Sequence, residues 1–186
     1  MTEIADRHEA VSDRFTELAS NVTDWDAPTP VKEWKARDIV AHLCDWLPNF
    51  LHGYEVTLKE IVPGDDPLAA WKEHTANVQA LLEDEEQMNR LVETPQGDQP
   101  LWQLLDSYYL ADVFMHQFDL AKASGQQPNL DPIVTHALVE GMSKIADQLA
   151  KSGQFGTPVV LDASHPMEER LAAVMGRDPK WTPPAA

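Results

Sequence analysis

Cysteine occurs once in this chain of 186 residues, as Cys44. A single thiol excludes an intrachain disulfide and a cysteine-rich zinc site. Positive charge is scarce as well: 14 Lys and Arg stand against 31 Asp and Glu, a formal net charge of −17. No cluster of cations is dense enough to follow a phosphate backbone, which argues against nucleic acid and an anionic membrane as partners. No apolar run approaches the roughly 20 residues that cross a bilayer. The opening MTEIADRHEA is polar and acidic, unlike a signal peptide, so a cytoplasmic protein is expected. Internal repeats, low-complexity tracts and strand–helix alternation are also missing. The length suits one domain over residues 1–186, with a tail from about residue 153.

What the chain does have is helical periodicity. Residues 3–22 repeat apolar side chains at intervals of three and four, with Ile4, Val11, Phe15, Leu18 and Val22. In WDAPTPVKEW, prolines on both sides of Thr29 forbid helix and force an extended connection, long enough to run the length of a bundle. The pattern resumes over 36–61, where Asp38 favours the helix start and Pro48 should kink or interrupt it. VPGDDP breaks it, and residues 68–83 form a third helix. A polar stretch then leads to a fourth helix over about 101–123, closed near Gly125. A fifth, about 131–151, starts with Asp131 as N-cap and Pro132 as its first residue. FGTPVVLDASHP reads as extended, anchored by Val159, Val160 and Leu161, and a short helix ends at Gly176. The pattern predicts an all-α fold: an antiparallel four-helix bundle with an extra helix, a short extended C-terminal tail and a small helix.

Within the apolar run ADVFMHQFDLA of the fourth helix stand Asp112, His116 and Asp119. At 3.6 residues per turn they share one stripe, so Asp112 and His116 can reach a common point. His42 sits mid-helix in VAHLCDW, and an antiparallel bundle can bring it opposite. Two imidazoles and a carboxylate are a competent set for a divalent transition metal, and three protein ligands leave positions open for water or substrate. A metal also offsets the cost of burying these groups. The competing reading is a hydrogen-bonded core histidine with ordinary polar neighbours.

Asp119 either orients a ligand histidine or pairs elsewhere. Cys44 lies some 160° from His42 around the helix and reads as a small core residue. His52 points to a different face from His42, with a minor claim as an extra ligand. His8, His74 and His136 read as surface residues, and His165 falls in a Pro-flanked turn. Trp34 is expected to plug the end of the bundle. Trp46, Trp71 and Trp102 are expected in the core, and Tyr108 and Tyr109 at the core or rim. EDEE at 83–86 is a solvated helix end and no calcium loop.

Three stretches taken together carry a likeness: TPVKEWKARDIVAHL, LADVFMHQFDLAKASGQ and FGTPVVLDASHPMEERLAAVMGRDPKW. Their order and spacing resemble the DinB-like metal-binding superfamily. More narrowly, they resemble the branch containing the N-terminal domain of mycothiol-dependent maleylpyruvate isomerase, over nearly the whole chain. The closing GRDPKW is similar to a subgroup of small actinobacterial members. The resemblance implies a four-helix bundle whose metal is held by a histidine of the second helix and a carboxylate-x-x-x-histidine pair of the fourth, here His42, Asp112 and His116. It implies zinc first, with nickel, iron or manganese as alternatives, and a thiol cosubstrate such as mycothiol. The isomerases carry Glu where this chain has the shorter Asp112, and they carry a further C-terminal domain where only the short tail after residue 153 is expected here, so the same isomerisation is not expected. The expected activity is thiol S-transfer to a small electrophile. The alternatives are a non-catalytic metal- or ligand-binding module and an iron site of the two-histidine-one-carboxylate type. A homodimer is compatible with the broad apolar faces.

Overall fold

The structure, a computed structural model, describes residues 2–153 and 155–184. Its helices start where capping chemistry dictates. The Thr2 hydroxyl accepts the backbone N–H of Ala5 and opens α1 (Glu3–Ser20). At α2 (Ala36–His52), the Asp38 carboxylate turns back to accept the Lys35 N–H at 2.8 Å. Asp66 with Pro67 opens α3 (Pro67–Leu82). Beyond α3, α4 (Glu85–Asn89) is capped by Asp84 and leads to an antiparallel pair of two-residue strands, β1 (Leu91–Val92) and β2 (Gln99–Pro100). The polar stretch after the third helix is therefore structured, and its EDEE run is solvated as expected.

The expected helix over 101–123 is one continuous run. It comprises α5 (Leu101–Leu104), a π-helical stretch Leu105–Leu110, and α6 (Ala111–Ala123). Its end matches expectation: Gly125 is left-handed (φ 69°), and the N–H groups of Gly125 and Gln126 return to the carbonyls of Lys122 and Ala121. Asp131 and Pro132 open α7 (Pro132–Lys144) as expected, but that helix stops at Ile145 and resumes as α8 (Ala146–Ser152). The last helix is α9 (Met167–Val174).

Helices α1 and α2 each pack against both α3 and α6. The shared core joins Phe15 and Leu18 of α1, Ile39, Leu43 and Leu47 of α2, Trp71 and Val78 of α3, and Val113 of α6. Each such side chain contributes about 1.5–3 kcal/mol by leaving water. Across the outer side of α6, Phe114 and Phe118 meet Val139 of α7 and Leu171 and Val174 of α9 in a second apolar cluster.

Several expectations change. The second helix ends at His52, not near residue 61. Beyond Gly53 the chain buries Val56 and Leu58 and exposes Thr57 and Lys59, the period-two pattern of an extended segment. Pro48 does not interrupt α2. The connection from α1 to α2 does not run alongside the bundle but folds back on itself. Thr29, Ala36 and Arg37 donate backbone N–H groups to the carbonyls of Trp34, Ala27 and Trp25. Val159 and Val160 do not anchor the tail through their side chains, which are exposed; the Val159 N–H binds the Ala173 carbonyl instead. Helix α9 ends at Val174, and Gly176, expected to close it, is left-handed (φ 73°) just beyond. Gly156 lies so close that a Cβ there would stand 2.4 Å from the Gly176 carbonyl oxygen.

His8 and His74 are buried, not at the surface, whereas His136 is exposed as expected. His8 Nδ1 lies 2.6 Å from Gln79 Oε1. His74 packs against Trp71 and Tyr109, and neither of its ring nitrogens has a hydrogen-bond partner. Burial, and then repulsion from His8, lowers the pKa of His74 from 6.5 to about 4. Between those values only the unfolded chain takes up a proton here, so stability falls as pH drops through that window. The expected loss is roughly 2–3 kcal/mol by about pH 4.5. Denaturant unfolding at neutral pH and at that pH checks it: His74→Leu should lose less than wild type by that amount.

Candidate metal centre

The sequence places His42 on the half-exposed side of α2, one turn before Trp46. Asp112 and His116 stand one turn apart on the facing side of α6. Packing of α2 against α6 brings the three together. His42 Nε2 lies 3.0 Å from Asp112 Oδ2, and His116 Nε2 lies 3.5 Å from Asp112 Oδ1. One ligand atom from each of the three falls within 4.8 Å of the others, and among the described residues no other trio of His, Cys, Asp or Glu does this. Two donors bound at about 2.1 Å to a tetrahedral ion stand about 3.4 Å apart. The donor chemistry and the observed spacing both fit a divalent ion after a small adjustment of the rings.

Groups around the trio fix its shape. The Trp46 indole N–H donates to Asp112 Oδ2 at 2.9 Å. The Trp34 ring stacks on His116 with centroids 5.8 Å apart and lies 5.1 Å from His42. Behind His116, its Nδ1 lies 2.9 Å from Asp119 Oδ2, which directs Nε2 toward Asp112. Asp119 is fully buried and receives two bonds from Arg177, Nε to Oδ1 and a terminal nitrogen to Oδ2, each 3.2 Å. Arg177 reaches it because the left-handed Gly176 turns the chain back toward α6: the Arg177 N–H bonds the Ala172 carbonyl at 2.8 Å.

The electrostatics follow from these contacts. Burial alone would raise the pKa of Asp112, but the charge of His116 and the hydrogen bond from His42 outweigh it and hold the carboxyl below its ordinary value. Burial opposes protonation of His116, yet Asp112 and Asp119 together raise its pKa. Asp119 is likewise depressed, with burial overcome by His116 and Arg177. Exposure is uneven: the side chains of His42, Asp112 and His116 are 32%, 19% and 5% exposed, so the approach from solvent is on the His42 side.

The sequence singled out His42, Asp112 and His116, and these do converge. Asp119 does both things open to it: it contacts His116 and it pairs with Arg177. His52 is exposed and stands outside the group. Cys44 is a core residue as expected, its thiol pushed up to about 12 by burial. Three further residues contribute in ways that differ from or go beyond the sequence expectation. Trp34 covers the trio rather than plugging the bundle end, and Trp46 is half-buried and bonded to Asp112 rather than a core ring. Trp46 did carry a signal, its place four residues after His42. Arg177 offered only its position after the helix-ending Gly176.

The signature described as the mycothiol maleylpyruvate isomerase N-terminal domain matches residues 8–121. The chain belongs to that family. The matched span contains all three trio residues, while Arg177 lies beyond it. Two uncharacterized proteins, from two strains of Mycobacterium tuberculosis, are each 25% identical over 174 residues, covering 91% of this chain and 95% of theirs. The crystal structure of the mycothiol-dependent maleylpyruvate isomerase superposes with a TM-score of 0.56 at 15% identity, covering 79% of this chain and 71% of that one. That likeness shows the fold: an all-α, DinB-like arrangement. Among the described residues no helix is long and apolar enough to cross a membrane.

Proposed function

We propose that the protein is a divalent-metal protein that transfers a low-molecular-weight thiol of the mycothiol type to a small electrophile. The observation that carries this reading is the convergence of His42, Asp112 and His116, with an approach from solvent on the His42 side. His42 and His116 would hold the ion through Nε2, and Asp112 through its carboxylate. When bound, a divalent ion supplies Lewis acidity, lowering the pKa of a thiol or water placed beside it. The chain's own groups do the rest. Asp119 holds His116 in the tautomer that presents Nε2, and Arg177 keeps Asp119 ionised and aimed. Trp46 pins one carboxylate oxygen of Asp112, and Trp34 packs its ring against both imidazoles. In the transfer, the thiol gives its proton to solvent and its sulfur bonds the electrophilic carbon, while the bond from that carbon to a leaving group breaks and the leaving group departs with the electron pair, taking a proton from solvent.

Family membership supports the thiol. Three protein ligands, which leave a coordination position open, favour a reactive site over a structural one. Zinc is the ion of choice, because two imidazoles and a carboxylate suit it and no redox partner is needed. The reaction is placed in the cytoplasm, where such thiols stay reduced. The test is turnover: zinc-loaded protein, mycothiol and a panel of electrophiles, with free thiol followed over time. Thiol consumption that disappears in His42→Ala supports the proposal. Tight metal binding without thiol consumption would instead mark a metal- or ligand-binding module.

A further inference from the structure

Helix α2 carries a second stripe beside its core face. His42, Trp46 and Phe50 recur every four residues, and Tyr54 continues the interval just past the helix end. Their rings form an unbroken series, with centroids 6.3 Å apart from His42 to Trp46, 5.7 Å from Trp46 to Phe50 and 5.2 Å from Phe50 to Tyr54. Tyr108, from the π-helical stretch, faces Phe50 across the seam at 5.9 Å and is 52% exposed. Trp46, Phe50 and Tyr54 are half-buried, unlike Leu43, Leu47 and Leu51, which fill the core. These rings pack against the core yet stay partly open to solvent, and their first rung is the most exposed member of the metal trio.

Charge restricts what such a shelf can take. The chain has no Lys or Arg from Asp38 to Leu58, nor from Leu91 to Ala121, the two segments that build it. The cations that reach in from elsewhere are engaged: Arg7 with Asp106 at 3.2 Å, Arg177 with Asp119, and Arg90 with the Tyr54 carbonyl. An anion laid along Trp46 and Phe50 would find no Lys or Arg on either segment to pair with it. A planar π system would meet ring faces and edges over the rise from residue 42 to residue 50, about 12 Å, enough for two or three rings.

We infer that the Trp46–Phe50–Tyr108 shelf is the acceptor subsite, binding a planar aromatic molecule without negative charge, with its reacting end at His42. This rests on the proposed thiol transfer for its role, whereas the binding itself can be measured separately. The experiment titrates zinc-loaded protein with 2-naphthol, with naphthalene-2-sulfonate and with methyl glucoside, following resonances by NMR, while zinc content is measured on the same samples. Saturable binding of 2-naphthol is expected, weakened about tenfold in Phe50→Ala and about threefold in Tyr108→Ser, with zinc content unchanged in both. The sulfonate should bind at least about tenfold more weakly than the naphthol. Tyr108 is exposed, so its variant keeps the test valid if Phe50→Ala fails to fold. Zinc retained without naphthol binding, tighter binding of the sulfonate or the glucoside, or indifference to Tyr108→Ser would overturn the inference. Naphthol binding to a protein that retains no zinc would sink the metal reading and leave the shelf standing.

Discussion

His42→Ala is expected to lower zinc affinity by about three orders of magnitude while leaving the helical fold in place. The estimate assigns roughly 4 kcal/mol to each of three protein ligands within the 10–16 kcal/mol typical of zinc sites. His42 is the variant of choice because its side chain is the most exposed of the three. Its loss removes a donor without opening a large hole in the core. His116→Ala should weaken zinc binding as much, but at a greater cost in stability, because it also takes a hydrogen bond from the buried Asp119. Competition against a chromophoric chelator measures both affinities, and circular dichroism reports whether the fold survives. Zinc affinity within threefold of wild type in His42→Ala would remove His42 from the ligand set.

Arg177→Met is expected to act on both stability and the metal. The substitution leaves the Asp119 carboxylate buried with only His116 as partner, and breaking a buried pair from one side costs about 3–5 kcal/mol. Without the guanidinium, Asp119 is freer to turn away or to take up a proton, and His116 loses its orientation. Disrupting the partner behind a ligand histidine typically weakens metal binding by about 10–100-fold. A double-mutant cycle separates this route from general loosening of the tail. If Arg177 acts through Asp119, Arg177→Met should add little to the loss of zinc affinity already caused by Asp119→Asn. Additive losses would show that the arginine works through the docking of α9 instead. Thermal or denaturant unfolding supplies the stability half of the result.

Much of the fold was legible because it is written in local chemistry. Asp131-Pro132 at a helix start and Gly125 and Gly176 at helix ends stand where their conformational preferences place them. The misreadings have equally local causes. Residues 53–61 carry apolar side chains whose spacing satisfies a helical and an alternating period at once, and the left-handed Glu55 (φ 59°) turns the chain out of the helix. His8 and His74 were misplaced because flanking charges suggested a solvent face, whereas burial depends on where α1 and α3 meet. The trio itself was legible from one helix stripe and one isolated histidine. Its surroundings were not, because Trp34 and Arg177 reach it from outside the helices that carry the trio, along turns whose path no periodicity encodes.

X-ray absorption at the zinc edge of protein purified without a histidine tag tests the central claim most directly. The expected result is about one zinc per chain, surrounded by two imidazoles and oxygen donors at about 2.0–2.2 Å, with no sulfur near 2.3 Å. Loss of one imidazole from the spectrum should follow in His42→Ala. Protein that retains no zinc after loading, or a spectrum that keeps both imidazoles in that variant, would contradict a cation held between α2 and α6.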